Sequence, residues 1–312
     1  MAAAHDAVLL IAYGGPTQPR EIRPFLDGVL RGKPVPPERY EEVVRHYEAV
    51  GGSSPLNRLT FQQAQGLRAV LEREGPALPV HVGMRFWNPF IADTLASMAG
   101  EGRRRAVGLI LAAHPSEASR EAYVQAVSEA QGRLGPRCPA VDFVGPWFDH
   151  PLFIEAAAAR LAETLSNLPA DRREQAAIVF TAHSIPLRMA EASGYPAAVA
   201  RTADLVARRL GIGSWSIAYQ SRSGNPRDPW LEPDISDTLS DLKARAARDA
   251  VVAPIGFVSD HVEVLYDLDI AARAAAGRIG LGFHRSGTAG DHPAFLRMMA
   301  ALVREVIARP GA

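Results

Sequence analysis

Short apolar runs recur along the chain, separated by longer stretches in which apolar residues return every three or four positions. This alternation is the signature of βαβ units, whose parallel sheets are covered on both faces and therefore read as continuous apolar strands. One series of runs occupies 7–12, 80–84, 107–112 and 141–144. A second follows the proline-bounded segment near 146–151, at 177–182, 216–219, 250–255 and 279–283. Helical spacing covers 37–50, 61–73, 119–133, 151–168, 195–210, 235–247 and 293–308. Proline opens the first of these and Gly51-Gly52 closes it, as helix-end chemistry requires. The pattern predicts an α/β chain of two similar domains, 1–145 and 146–289, each a parallel β-sheet flanked by helices. The C-terminal helix, within 290–312, is expected to pack on the first domain.

Ligands of open parallel sheets gather beyond the carboxyl ends of the strands. The residues just after the apolar runs are accordingly the candidates for chemistry. The first run ends in Tyr13, the third leads to His114, the fifth to His183 and the sixth to Gln220-Ser221. The seventh leads to Asp260, His261, Glu263 and Asp267. An imidazole at a strand end can accept a proton near neutral pH or bind a borderline metal, although an isolated histidine there is more often a satisfied loop residue. A helix opening at Ser259 or Asp260 would set Glu263 and Asp267 on one face, where mutual repulsion assists proton exchange. The plainer reading of that segment is a helix cap and a solvated face.

Composition narrows the field. The 34 basic residues balance 34 acidic ones, so no net field draws the chain to nucleic acid or an anionic membrane. A single cysteine, Cys138, can form neither an intrachain disulfide nor an iron–sulphur ligand set. The apolar run at 7–12 is too short to span a bilayer and reads as a strand, and no later run reaches about 18 residues. A cytoplasmic monomer is expected, with peripheral membrane contact left open. Tyr13-Gly14-Gly15-Pro16 has neither the glycine spacing of a dinucleotide loop nor the lysine of a phosphate loop. Its glycines suit a tight turn or close approach to a large flat ligand. No GxSxG elbow is present, which disfavours a serine hydrolase.

Five stretches in order, LLIAYGGP (9–16), YEAVGGSSPL (47–56), TAHSIP (181–186), DPWLEP (228–233) and PIGFVSDHVEVLYD (254–267), resemble the ferrochelatase family along nearly the whole chain. The resemblance implies two Rossmann-like, chelatase-type domains with a porphyrin between them, and insertion of ferrous iron into that porphyrin as a step of haem biosynthesis. It makes His183 the active-site histidine and Glu263 its acidic partner, both as catalytic and as metal-handling residues, with Tyr13 facing the metal and Asp267 continuing the acidic, metal-binding path along the helix. Where relatives often carry a further acid, this chain has Ala271, which leaves the acidic path in question. Asp269 is a candidate replacement in a different helical phase.

A tyrosine at the place of Tyr13 is similar to the branch acting on coproporphyrin III, so the implied product is coproheme. In that branch Arg45, Ser53 with its neighbour Ser54, and Tyr123 resemble propionate-binding residues. Arg31 joins them as a second anchor and Trp230 as an aromatic wall. Iron is then a substrate, no cofactor is retained and no iron–sulphur cluster is expected. A haem-pathway enzyme or haem acceptor is the implied partner. The alternatives are a protoporphyrin IX ferrochelatase, a sirohydrochlorin-type chelatase, and a noncatalytic haem-binding module.

Overall fold

The computed structural model describes residues 4–32, 34–223 and 228–309. The chain divides into two compact units. One draws on 1–112, 118–146 and 293–312, the other on 113–117 and 147–292.

The first unit is built on β1 (Ala7–Ala12), β2 (Val80–Met84), β3 (Arg105–Ile110) and β4 (Ala140–Phe143). All pairings are parallel and the order is β2-β1-β3-β4. As a central strand covered on both faces, β1 is buried at every residue, which explains its unbroken apolar sequence. Helices Ile91–Gly100 and Ala122–Leu134 contribute Leu95, Met98, Val127 and Ala130 to one face. Helices Leu56–Glu74 and Pro293–Ile307 pack on each other, with Leu296 set against the α-carbon face of Gly66 and Arg304 Nε donating to the Gly75 carbonyl at 2.7 Å.

The second unit repeats the plan with β5 (Ala177–His183), β6 (Ser216–Gln220), β7 (Asp249–Ala253) and β8 (Gly282–Arg285), ordered β6-β5-β7-β8 and again parallel. Helices Pro151–Ser166 and Tyr195–Arg209 pack together, the former also against β7. A second cluster joins Ile235, Leu239, Val264, Leu268, Ala272 and Ala276 to Val179 and Val252 of the sheet. Each unit ties its strands with an ion cluster. Asp142 binds Arg105 and His5 at 2.6 and 2.8 Å, and the nearly inaccessible Asp249 carboxylate binds Arg172 and His284.

Several boundaries differ from the sequence pattern. Residues 279–281 close the preceding helix, with Gly280 at φ 64°, so β8 begins only at Gly282. Pro254 and Ile255 lie beyond the end of β7, and the helix read from 61 opens at Leu56. Helices Ile22–Leu30 and Ile91–Gly100 are additional, being too short for their periodicity to stand out. The helix expected to open at Ser259 or Asp260 starts at Val262 with His261 at its cap. From Leu265 to Ala272 it is wound as a π-helix. Such widening depends on neighbouring packing and hydrogen bonds, and residue spacing does not announce it.

The loop after β7 crosses the end of β5. Gly256 N–H donates to the Thr181 carbonyl at 3.0 Å, and a Cβ at Gly256 would stand 2.6 Å from both Cα and Cβ of Ala182. We expect Gly256→Ala to destabilise the fold by ~1–3 kcal/mol through overpacking. A urea unfolding midpoint equal to that of the parent chain would contradict this packing.

Candidate active site

In both sheets the central strands meet where the chain reverses its order of addition, between β1 and β3 in one and between β5 and β7 in the other. Side chains at such a switch point lie outside the carboxyl ends, with no strand to cover them. His183 is the last residue of β5 and pairs in register with Gln220 of β6. Its Nδ1 lies 2.5 Å from the Ser184 carbonyl, which can only accept, so Nδ1 carries a proton and Nε2 is the atom free to exchange one.

Glu263 arrives from the neighbouring strand. After β7 the chain runs through the loop to His261, extended at φ −153°, and turns into the short helix Val262–Val264. Glu263 Oε2 lies 3.5 Å from His183 Nε2 and 3.2 Å from His261 Nε2. The Phe257 ring flanks both imidazoles, with centroids 6.3 Å from His183 and 4.9 Å from His261. Among the described residues no three His, Cys, Asp or Glu side chains form a ready metal cage. The arrangement is instead a convergence of two imidazole nitrogens on one carboxylate oxygen.

The environment separates the two acids. Burial alone would raise the Glu263 pKa, but the adjacent His183 and His261 overcome it and hold this carboxyl well below the usual range. Burial would lower the His183 pKa, yet the Glu263 charge and hydrogen bond raise it above the ordinary 6.5. Asp267 is pushed up to about 6, first by burial and then by the Glu263 charge, while a hydrogen bond from Ser221 opposes the rise. Ser221 Oγ donates to Asp267 Oδ2.

Asp269 does not continue this acidic line. Its carboxylate binds Arg285 at 2.8–3.0 Å, and the same guanidinium binds Asp260 at 3.1–3.2 Å. Arg285 thus ties both ends of the segment to β8. The position of Ala271 is exposed.

The segment DPWLEP supports the histidine loop. Trp230 is buried and forms an antiparallel bridge with Pro186, while Ser184 Oγ donates to the Leu231 carbonyl at 2.9 Å. Leu231 N–H returns a bond to the Ile185 carbonyl at 3.0 Å. His114, the other strand-end histidine, is buried against Thr202, with Nε2 and Oγ1 2.9 Å apart, and desolvation pushes its pKa down to about 3.

In the first unit Tyr13 is 39% exposed just beyond β1, with its ring 4.6 Å from Phe86 and 6.3 Å from Phe25. The glycines after it serve a turn: Gly14 has φ 87° and approaches Trp87, and Gly15 abuts Ser54. Those neighbours belong to the protein itself. The exposed Arg31 places its guanidinium carbon 5.5 Å from the Phe86 ring, and Arg85 stands at 4.6 Å. Arg45 is exposed on helix Pro37–Ala49, Ser53 is half-buried and Ser54 is buried. Tyr123 is buried beside Arg85, and desolvation raises its phenol pKa.

In the sequence His261 and Ser221 stand among the strand-end candidates without an assigned role, and nothing there marks Phe257 or Arg85 for one. The strand-end position of Ser221 and the Asp260–Asp267 cluster were the available signals. The geometry that gives these residues a role comes from contacts distant in sequence.

A family model described as Ferrochelatase matches residues 5–307. Similar curated proteins include the coproporphyrin III ferrochelatase of Nocardia farcinica, 42% identical over 97% of this chain and 88% of that one. The enzymes of that name from Mycolicibacterium smegmatis and Streptomyces coelicolor are 39% and 41% identical, covering 97% and 98% of this chain and 90% and 85% of theirs. Among solved structures, SirB from Bacillus subtilis with Fe3+ aligns with a TM-score of 0.62 at 12% identity, covering 97% of this chain and 96% of that one. The cobalt complex of the sirohydrochlorin chelatase SirB from Bacillus subtilis subspecies spizizenii gives 0.57 at 10% identity, covering 98% and 97%. At such identities the likeness is one of fold.

The His183–Glu263 contact has a direct titration signature. In NMR the His183 imidazole should titrate above pH 6.5, the ordinary histidine value. Glu263→Gln removes the negative charge that favours imidazolium, so the midpoint should fall. An unmoved midpoint would show that the two groups are not coupled.

Proposed function

The chain belongs to the ferrochelatase family, and from that premise we propose that it inserts ferrous iron into coproporphyrin III, with His183 and Glu263 carrying the reaction. Ferrochelatases are lyases that metallate a porphyrin. Iron is the substrate here, and the single cysteine, Cys138, leaves no set of thiolates for an iron–sulphur cluster.

The observation that carries the assignment of roles is the approach of His183 Nε2 to Glu263 Oε2 at 3.5 Å. A free-base porphyrin must lose its pyrrole protons as iron enters, releasing one proton from each of two ring nitrogens. With Nδ1 committed to the Ser184 carbonyl, neutral His183 presents the Nε2 lone pair as proton acceptor. Glu263 stabilises the imidazolium that results. His183, together with His261 on the same oxygen, holds this carboxyl well below the usual range. Asp267, pushed up to about 6, can exchange protons near neutrality and completes the path by which iron arrives and protons leave.

The choice of ring is supported by the similarity to coproporphyrin III ferrochelatases and by Tyr13 with its cationic surroundings. Coproporphyrin III carries more propionate carboxylates than protoporphyrin IX, and guanidinium groups bind carboxylates through paired hydrogen bonds. Arg31 and Arg45 are the proposed anchors, and Ser53, Ser54 and Tyr123 the proposed further donors to the propionates. Trp230 acts through the histidine loop that it braces. A haem-pathway enzyme or a haem acceptor is the proposed partner that receives the product, coproheme. No helix among the described residues is long and apolar enough to cross a membrane.

Anaerobic ferrous iron mixed with coproporphyrin III, protoporphyrin IX and sirohydrochlorin in turn tests the proposal by loss of free-base absorbance. Coproporphyrin III should be metallated fastest. Preference for either other ring would overturn the substrate assignment, and no metallation of any ring by folded protein would overturn the enzyme itself. His183→Ala should lower kcat by about a hundredfold or more, while fluorescence quenching by coproporphyrin still reports binding. Near-normal turnover in that variant would remove His183 from proton transfer.

A further inference from the structure

The turn that ends β6 carries a backbone conformation its side chain does not favour. Ser221 has φ 66°, in the left-handed region where glycine, asparagine and aspartate are the usual occupants. Backbone strain held against local preference is commonly offset by a contact the site needs. Here the conformation directs Ser221 Oγ onto Asp267 Oδ2, forty-six positions along the chain. The preceding residue, Gln220, is buried, and its Nε2 lies 3.4 Å from the Glu263 carbonyl and 3.5 Å from Ser221 Oγ. One corner of β6 therefore reaches the main chain of one acid and the carboxylate of the other. It does so where the helix widens into its π-wound stretch from Leu265.

We propose that Ser221 is a positioning residue for iron handling: its hydroxyl fixes the Asp267 carboxylate so that an arriving divalent cation is presented towards Glu263 and His183. The assignment rests on the ferrochelatase reading and extends it to a residue that touches neither ring nor metal. A glycine at 221 would relieve the backbone, but it would remove the hydroxyl that donates to Asp267. Gln220 supports the same corner through the Glu263 main chain. A loose Asp267 would still be acidic but would lose its fixed direction, which weakens cation capture without altering porphyrin binding.

Comparison of Ser221→Gly, Ser221→Ala and Ser221→Asn in the full chain separates hydroxyl from backbone. The readouts are thermal midpoint, KM for ferrous iron, KM for coproporphyrin III, and Co2+ affinity measured without porphyrin. For Ser221→Gly we expect a midpoint equal to or above the parent's, since the strain is relieved. Its KM for iron should rise by roughly tenfold, as expected for loss of one hydrogen bond to a charged group, with Co2+ affinity weakened similarly and the porphyrin KM unchanged. Ser221→Ala should show the same metal defect with a lower midpoint. Ser221→Asn, which tolerates the left-handed region and keeps a donor, should recover most of the metal affinity.

Parent-like iron KM and Co2+ affinity in Ser221→Gly would overturn the proposal. So would a parallel rise in the porphyrin KM, which would indicate general displacement of the loop. If the parent chain metallates no porphyrin, the functional reading fails, and the Co2+ series still decides the role of Ser221.

Discussion

A parallel strand pair delivers both carboxyl ends to the same edge of its sheet, and β5 and β7 use that constraint to bring distant residues together. The register pairs Ala253, the last residue of β7, with Phe180. Thr181, Ala182 and His183 therefore project beyond the end of their neighbour. The loop leaving β7 folds back over this projection, and Gly256 rests directly on Ala182. Only a residue without a side chain fits there. The loop then places Phe257 beside His183 and returns Glu263 to within 3.5 Å of the imidazole. The charge separation of the site follows from that closeness, while the Ser184 carbonyl sets the His183 tautomer.

Within this edge, near-identical chemical groups acquire different behaviour. Glu263 faces two imidazoles that hold its carboxyl well below the usual range, whereas Asp267, one turn on, is raised by burial and the Glu263 charge, which outweigh the Ser221 hydrogen bond and the more distant His183 and His261 charges. A third acid, Asp269, is withdrawn altogether by Arg285, which also holds Asp260. The guanidinium fixes both ends of the segment while leaving its middle to the chemistry. The π-winding at Leu265–Ala272 alters the helical phase along the same stretch. Two neighbouring carboxyls with opposed pKa shifts can divide acid and base roles between them.

The first unit treats the equivalent edge differently. Tyr13 emerges just beyond β1, much as His183 ends β5, but its surroundings are aromatic and cationic. Its turn is sealed by Gly14 against Trp87 and Gly15 against Ser54, leaving the tyrosine ring partly exposed. The repeated sheet plan thus supports an acid–imidazole centre in one half and an aromatic, guanidinium-flanked surface in the other. Fold repetition fixes where side chains emerge, and their identity fixes what each edge does.

The sequence by itself determined the strand series, the doubly flanked sheets and the strand-end positions of Tyr13, His183 and the Asp260–Asp267 segment. These follow from local periodicity, because a buried strand must be apolar and must stop where polar residues begin. Tertiary structure alone decided that His261 shares the Glu263 oxygen, that Asp269 belongs to Arg285, that Trp230 braces Pro186, and that Ser221 reaches Asp267. It also decided the π-winding and the later start of β8. Each depends on groups brought together by strand register and packing, and a hydrogen bond between residues far apart in the chain leaves no periodic trace in either segment.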